Sequence, residues 1–406
     1  MINTFWEKTK YYFLNYWDTG IFVCLFLYVF LNPGKGSGIF DDSLFPLLTG
    51  DLLEFLTYLL LIIYLSVRFY FDGKDKKLLL LFILFIVSVF IRYNTLTLGY
   101  IMTLTFGVVV YLGFCFNNKI IKIIPYLFIV VSLYYAYNIF MFYDKSQRLD
   151  FLFLQPNFLG DVISCLCLFL FWYIISVGNK IYIVFLLLLY FALLFGLVAT
   201  LSRGASLCFL VGLIISVVYG IVKFEKKYQI VCLFLITILL FLSMVFLVPN
   251  RWSERFDKNC YDTQVSTLNR VELYKKSCLI IAHNPLGVGA GKFTFELDNY
   301  NPKFLNHEGF TTCLNSYLTL CAEFGVQTLV LFLLIIIYLF YKALRKPAKD
   351  FMADDCHNIR YIYLGLLACG ISLLIFGLFS TNINRVYCQF ILFTGLFITC
   401  QYNENK

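Results

Sequence analysis

Apolar and polar positions alternate along this chain in long blocks. Runs of about 20 apolar residues, enough helix to cross about 30 Å of hydrocarbon, recur at roughly 12–32, 51–71, 78–95, 96–116, 120–142, 157–177, 181–201, 204–222, 228–248, 314–341, 359–379 and 384–402. Twelve such runs predict an all-α polytopic membrane protein. Spans one to nine occupy 1–248, a polar segment fills 249–313, and spans ten to twelve occupy 314–406. The polar segment is too long for a connector, so function is expected to concentrate there. Within it, residues 266–283 predict an amphipathic helix. Ser266 or Thr267 would cap it, Leu268, Val271, Cys278 and Ile281 would form the apolar face, and Pro285 would end it. At the far end, TTCLNSYLTLCAEFG leads into span ten. Asn315, Thr319 and Glu323 recur every fourth residue on one face, which puts Glu323 about 12 Å below Asn315 and makes an acid at that depth a candidate for function or for a hydrogen bond between helices.

Composition strengthens this picture. Of 406 residues 61% are hydrophobic and 14% charged, against about 25% charged in soluble domains. The net charge of +8 is a topology signal rather than a nucleic-acid footprint, because Lys and Arg cluster in short loops. KTK (8–10), DGKDKK (72–77), NNKIIK (117–122), GNK (178–180), KFEKK (223–227) and YKALRKPAK (341–349) all fall on one side. The positive-inside rule makes that side cytoplasmic, with both termini inside and the 249–313 loop outside. The N-terminal stretch MINTFWEKTKYYF lacks a cleavable signal pattern and is expected to lead into a retained first helix.

Most of the fourteen cysteines sit inside spans as small hydrophobes, and none has zinc spacing. No metal or cofactor is expected. A bridge among Cys260, Cys278 and Cys313, in or beside the loop, stays open. The abundant Tyr and Phe read as lipid contact and helix packing.

Candidate chemistry begins with GVGAGK (287–292). A phosphate-binding P-loop would need Gly at 286 and Ser or Thr at 293, where this chain has Leu286 and Phe293. Gly287, Gly289 and Gly291 instead provide close backbone approach or positive φ, either in a simple turn after a helix or against a ligand. Arg203, in TLSRGAS, stands at the outer end of a span. Arg92, Arg148 and Arg385 stand at others, and Arg251, Arg255 and Arg270 lie in the loop. Guanidinium groups gathered at one surface suit a diphosphate, since each can donate two parallel charged hydrogen bonds.

The stretch TLSRGASLCFLVGL resembles the span that opens the core of bacterial O-antigen ligases and polymerases, with its Ser-Arg-Gly at a helix start. Arg270, then NPLGVGAGKF, then LNSYLTLCAEFG follow in the family's order, so that the resemblance covers about 200–340. It implies a donor glycan on undecaprenyl diphosphate and transfer at the outer face of the bacterial cytoplasmic membrane. Arg203 and Arg270 would bind the diphosphate, with Lys292 as a further phosphate contact. Asn315 and Tyr317, with Gly287, Gly289 and Gly291, would line the cavity. Many members have His-Asn where this chain has Leu314 and Asn315. That histidine is regarded as catalytic in the ligases, and its absence favours a repeat-unit polymerase over a ligase. The incoming hydroxyl still needs a base, for which Glu323, His307 and Glu308 are the candidates. The resemblance further implies a chain-length regulator and a flippase as partners. The chain itself reads less well as a flippase, because its polarity concentrates in one outer loop rather than in two matched halves at the midplane.

Overall fold

The computed structural model describes residues 20, 23–24, 26–27, 76–91, 118–144, 148–151, 155–247, 252, 261–299, 313–345 and 357–380. All regular elements among them are α-helices: α1 (Lys76–Phe90), α2 (Asn118–Phe142), α3 (Pro156–Ser176), α4 (Lys180–Ala199), α5 (Arg203–Lys223), α6 (Lys227–Leu247), α7 (Tyr261–His283), α8 (Phe293–Asn299), α9 (Ser316–Phe324), α10 (Val326–Arg345) and α11 (His357–Phe376). Five of them, α2 to α6, are long and apolar enough to cross a membrane, and α10 and α11 contain shorter apolar stretches. Seven of the predicted spans therefore coincide with helices α1 to α6 and α11 to within a few residues. The runs at 51–71, 96–116 and 384–402, and all but five residues of 12–32, lie outside the described residues.

Helix α3 is the axis of the bundle. It is apolar around most of its surface, and such a helix must be enclosed by others or by lipid; here protein encloses it, and every residue from Phe158 to Ser176 is buried. Its main neighbours are α11, α4 and α5. Small residues let these helices approach closely, as the absence of a hydrophobic drive between helices in lipid requires. A side chain at Gly212 of α5 would meet Leu168, Ser372 and the Ala368 carbonyl within 3.3 Å, and one at Gly365 of α11 would meet the Phe169 backbone at 3.3 Å. Trp172 Nε1 donates to Ser216 Oγ at 3.1 Å, and Phe128 of α2 stacks on Phe169 with ring centroids 3.8 Å apart. The outward faces of α2, α4 and α6 stay apolar and exposed, as at Phe140, Leu188 and Leu239.

The two ends of the bundle differ. At the lysine end, Lys226 in the α5–α6 turn donates from Nζ to the Ile175 carbonyl at 2.8 Å, capping α3, and lies 5.5 Å above the Tyr361 ring. At the opposite, arginine end, α3 and α5 begin and α4 and α11 finish. There Gly160 abuts Thr200, Ser202 and Ala205, while Gly204 abuts Phe376 and Phe379.

Span ten is not one helix. Gly325, with φ 94°, separates α9 from α10. The first turn of α9 is bonded to the end of α11 through Ser316 N–H and the Gly377 carbonyl at 2.8 Å. Beyond Gly325, Thr328 Oγ1 donates to Ser88 Oγ, near the end of α1, at 2.9 Å. Helix α9 thus bridges the end of α11 and, through the start of α10, the last turns of α1, with Glu323 beside the break at Gly325. The apolar run concealed the break because only the glycine interrupts it.

Helices α7, α8 and α9 share a small second core of Leu273, Ile280, Phe293, Leu297, Cys313 and Ala322. The expected helix at 266–283 exists but starts earlier, at Tyr261, so neither Ser266 nor Thr267 caps it, and it ends before Pro285 as expected. Its buried side is Leu273, Ser277 and Ile280, whereas Val271 is 46% exposed and Cys278 is exposed. Apolar residues occur on both faces of this helix, and α9 selects the one that is covered. Cys278 and Cys313 are free thiols, so they do not pair with each other; Cys260 lies outside the described residues.

Candidate functional site at the arginine end

The loop that enters α5 is built by short-range polar bonds. Thr200 Oγ1 donates to the Leu197 carbonyl at 2.7 Å and accepts from Ser202 N–H at 3.3 Å. Ser202 is the N-cap, its hydroxyl accepting from Ala205 N–H at 3.3 Å, as a serine before a helix characteristically does. Between them Leu201 has φ 52°. Arg203 is then the first residue of α5, half-buried, at the positive end of the helix dipole.

Helix α9 begins in the same manner. Leu314 also has φ 52°, and Asn315 caps α9 by accepting from the N–H groups of Tyr317 and Leu318, both at 3.0 Å. Leu201 and Leu314 are the only non-glycine residues with positive φ among the described residues. Each conformation costs roughly 1–3 kcal/mol, and such strain persists where the surroundings enforce it.

The turn that follows α11, Gly377–Ser380, joins the two entrances. A helix end leaves its last carbonyls without helical partners, and here α7 and α9 supply the donors. Ser316 N–H reaches Gly377 O. Asn315 Nδ2 reaches Leu378 O at 3.0 Å, with a longer bond from Tyr274 Oη at 3.3 Å. Arg270 Nη1 reaches Phe379 O at 3.0 Å, and Ser316 Oγ reaches Ser380 O at 2.9 Å. One turn earlier, Tyr317 Oη reaches Leu374 O at 2.7 Å. The Phe379 side chain meanwhile contacts Gly204, beside Arg203. Arg270 and Gly204, the residue after Arg203, therefore both meet Phe379. Burial pushes the Tyr274 phenol above its ordinary value, with Arg270 and Asn315 opposing the shift, so Tyr274 remains a proton donor at neutral pH.

A third arginine bonds to the turn that precedes Arg203. Arg148 donates from Nε to Thr200 O and from Nη2 to Asn157 Oδ1, both at 3.0 Å. One turn along α3 from Asn157 is Asp161, fully buried, in a helix with no other acid. An ionisable group enclosed in a membrane bundle is a functional candidate by default. Arg148 is thus bonded within the corner, while Arg203 stands at the N-terminus of α5, a helix end whose dipole favours an anion.

The remaining sequence candidates sit elsewhere. Gly287, Gly289 and Gly291, with φ 87°, 105° and 67°, dock on the far end of α9. Val288 N–H and Gly289 N–H donate to the Ala322 and Glu323 carbonyls at 2.9 and 2.8 Å. A side chain at Gly287 would strike the Glu323 carbonyl at 2.5 Å. Glu323 is fully buried, and its Oε1 accepts from Gly291 N–H at 3.1 Å. Lys292 is exposed just before α8. About 12 Å of helix separates this cluster from the Asn315 corner. Cys313 lies between the two, with Ser277, Thr319 and Glu323 around it. His307 and Glu308 lie outside the described residues, as do Arg92, Arg251, Arg255 and Arg385.

Sequence reasoning had no purchase on Tyr274, Ser316 and the 377–380 turn. The available signal was the need of α11's last carbonyls for donors, but a donor's identity depends on which helix end lies beside it. Residues 188–333, from within α4 to within α10, match the family model described as O-Antigen ligase. No curated protein matches the chain.

Proposed function

We propose that this chain, whose residues 188–333 belong to the O-antigen ligase family, is a repeat-unit polymerase for O-antigen or capsular polysaccharide. It transfers glycan from undecaprenyl diphosphate to a lipid-linked acceptor at the outer face of the cytoplasmic membrane. The observation that supports the reading is that Phe379 accepts from Arg270 and packs beside Gly204, the residue that follows Arg203 at the start of α5. In the reaction, the acceptor hydroxyl oxygen bonds to the anomeric carbon of the donor sugar. The bond from that carbon to the diphosphate breaks, and the electron pair leaves with undecaprenyl diphosphate. Arginines preorganised around the diphosphate stabilise the charge that develops there, and because that group leaves readily no strong general acid is needed.

The hydroxyl proton needs an acceptor. Of the three candidates, Glu323 is committed through Oε1 to the Gly291 N–H and shielded from solvent, which favours His307 or Glu308. The position where ligases of this family are regarded as carrying a catalytic histidine is Leu314, a residue without a titratable group whose strained backbone serves the α9 cap. That departure supports polymerase over ligase. Deletion in the source strain separates the two. A polymerase mutant leaves glycans one repeat long, whereas a ligase mutant accumulates long chains on undecaprenyl diphosphate; unchanged long chains on the final acceptor would exclude both.

A further inference from the structure

We infer that Arg148, outside the family-matched stretch, is a positioning residue that clamps the α4–α5 turn and thereby sets where Arg203 is presented; this rests on Arg203 meeting the donor diphosphate. The turn has a specific need for a clamp. Only three residues, 200–202, separate α4 from α5, and the middle one, Leu201, is held in the left-handed region. A β-carbon makes that conformation unfavourable, so the backbone relaxes unless external bonds oppose it.

Those bonds are present and consecutive. The carbonyls of Val198, Ala199 and Thr200 each accept a donor from beyond the α4–α5 turn: Trp252 Nε1 at 3.1 Å, Leu149 N–H at 3.1 Å and Arg148 Nε at 3.0 Å. Arg148 also reaches a second helix, through Nη2 and the Asn157 side chain at the start of α3. One planar group therefore links the turn to the helix at the bundle's axis. The rigid fork of a guanidinium suits this bridge, and a lysine ammonium on a flexible stem cannot reproduce its two fixed directions. Because α5 starts immediately after the turn, a change at Leu201 or Ser202 re-aims Arg203 directly. Arg148 is only half-buried, so its replacement removes bonds more than packing.

The test uses the full chain in nanodiscs, with undecaprenyl diphosphate as the probe and binding rather than turnover as the readout. Arg148→Ala is expected to weaken binding about tenfold, the scale of a lost charged hydrogen bond. Arg148→Lys should recover little of that loss. The decisive comparison is a double-mutant cycle: if Arg148 acts through Arg203, Arg148→Ala/Arg203→Ala binds no more weakly than Arg203→Ala alone. Multiplied losses would mean that Arg148 touches the diphosphate itself and would overturn the inference, as would wild-type binding by Arg148→Ala. Amide hydrogen exchange gives an independent readout. Residues 199–203 should exchange faster in Arg148→Ala while α3 and α5 interiors do not, and unchanged exchange at the turn would also overturn the inference. If Arg203→Ala binds as wild type, the diphosphate reading fails instead, and exchange at the turn still decides whether Arg148 clamps it.

Discussion

At the residue scale, the arginine corner and the Glu323 cluster make separable demands. In the proposed reaction Arg203 and Arg270 present their charge to the diphosphate, and the charge-assisted bond from Arg270 to Phe379 O is worth about 1.5–3 kcal/mol net. Arg203→Ala and Arg270→Ala should each abolish transfer from a purified lipid-linked donor while leaving most of the protein folded. Product at the wild-type rate from either variant would remove that residue from the site. Glu323 calls for a different comparison. Glu323→Gln keeps an oxygen that can accept from Gly291 N–H, so it should retain transfer and thermal stability. Glu323→Ala leaves the buried N–H without its acceptor and should destabilise the fold by about 1–3 kcal/mol. Loss of transfer by Glu323→Gln at unchanged melting temperature would instead make Glu323 the base. The arginines were readable in the sequence as residue types at a span end and in the loop, but the approach of Arg270 and of Gly204, beside Arg203, to Phe379 was not. It depends on a turn at the end of a helix some 110 residues beyond Arg270.

At the element scale, helix existence was legible and helix facing was not. The apolar run of span ten was visible, but Gly325 divides it into two helices, α9 and α10. Helix α7 shows the same limit. Its end before Pro285 followed from local chemistry, whereas the choice between its apolar faces was made by α9. Leu273→Ala, at a fully buried position, should cost about 2–5 kcal/mol. Val271→Ala, on the face a helical wheel would equally support, should stay within about 0.5 kcal/mol. Denaturant unfolding of the two variants compares them directly, and equal losses would contradict the assigned face.

At the scale of the whole molecule, the alternation of basic loops anticipated two unlike ends, and the described helices have them. The lysine end carries the Lys226 cap on α3; the arginine end carries Arg148, Arg203 and Arg270 and the α7–α9 core. If the latter faces outward, a membrane-impermeant maleimide applied to intact spheroplasts at pH 8 should modify the exposed Cys278. Cys313 should stay unmodified even after permeabilisation, since burial pushes its thiol up to about 12 and keeps it protonated at that pH. Modification of Cys278 only after permeabilisation would invert the orientation. Mass spectrometry of the two peptides reads both results.

Enclosure of α3 also bears on how the chain is made. This helix, with Asp161 inside it, leaves the ribosome roughly 200 residues before α11, its main neighbour. During that interval α4 and α5 can shield only part of its surface, and the remainder faces lipid or the insertion machinery. The bundle therefore closes late in synthesis. A chain that stops before His357 carries a helix with one flank uncovered, in the condition that membrane quality-control proteases remove, so C-terminal truncations should be lost as protein before they can be scored as enzyme.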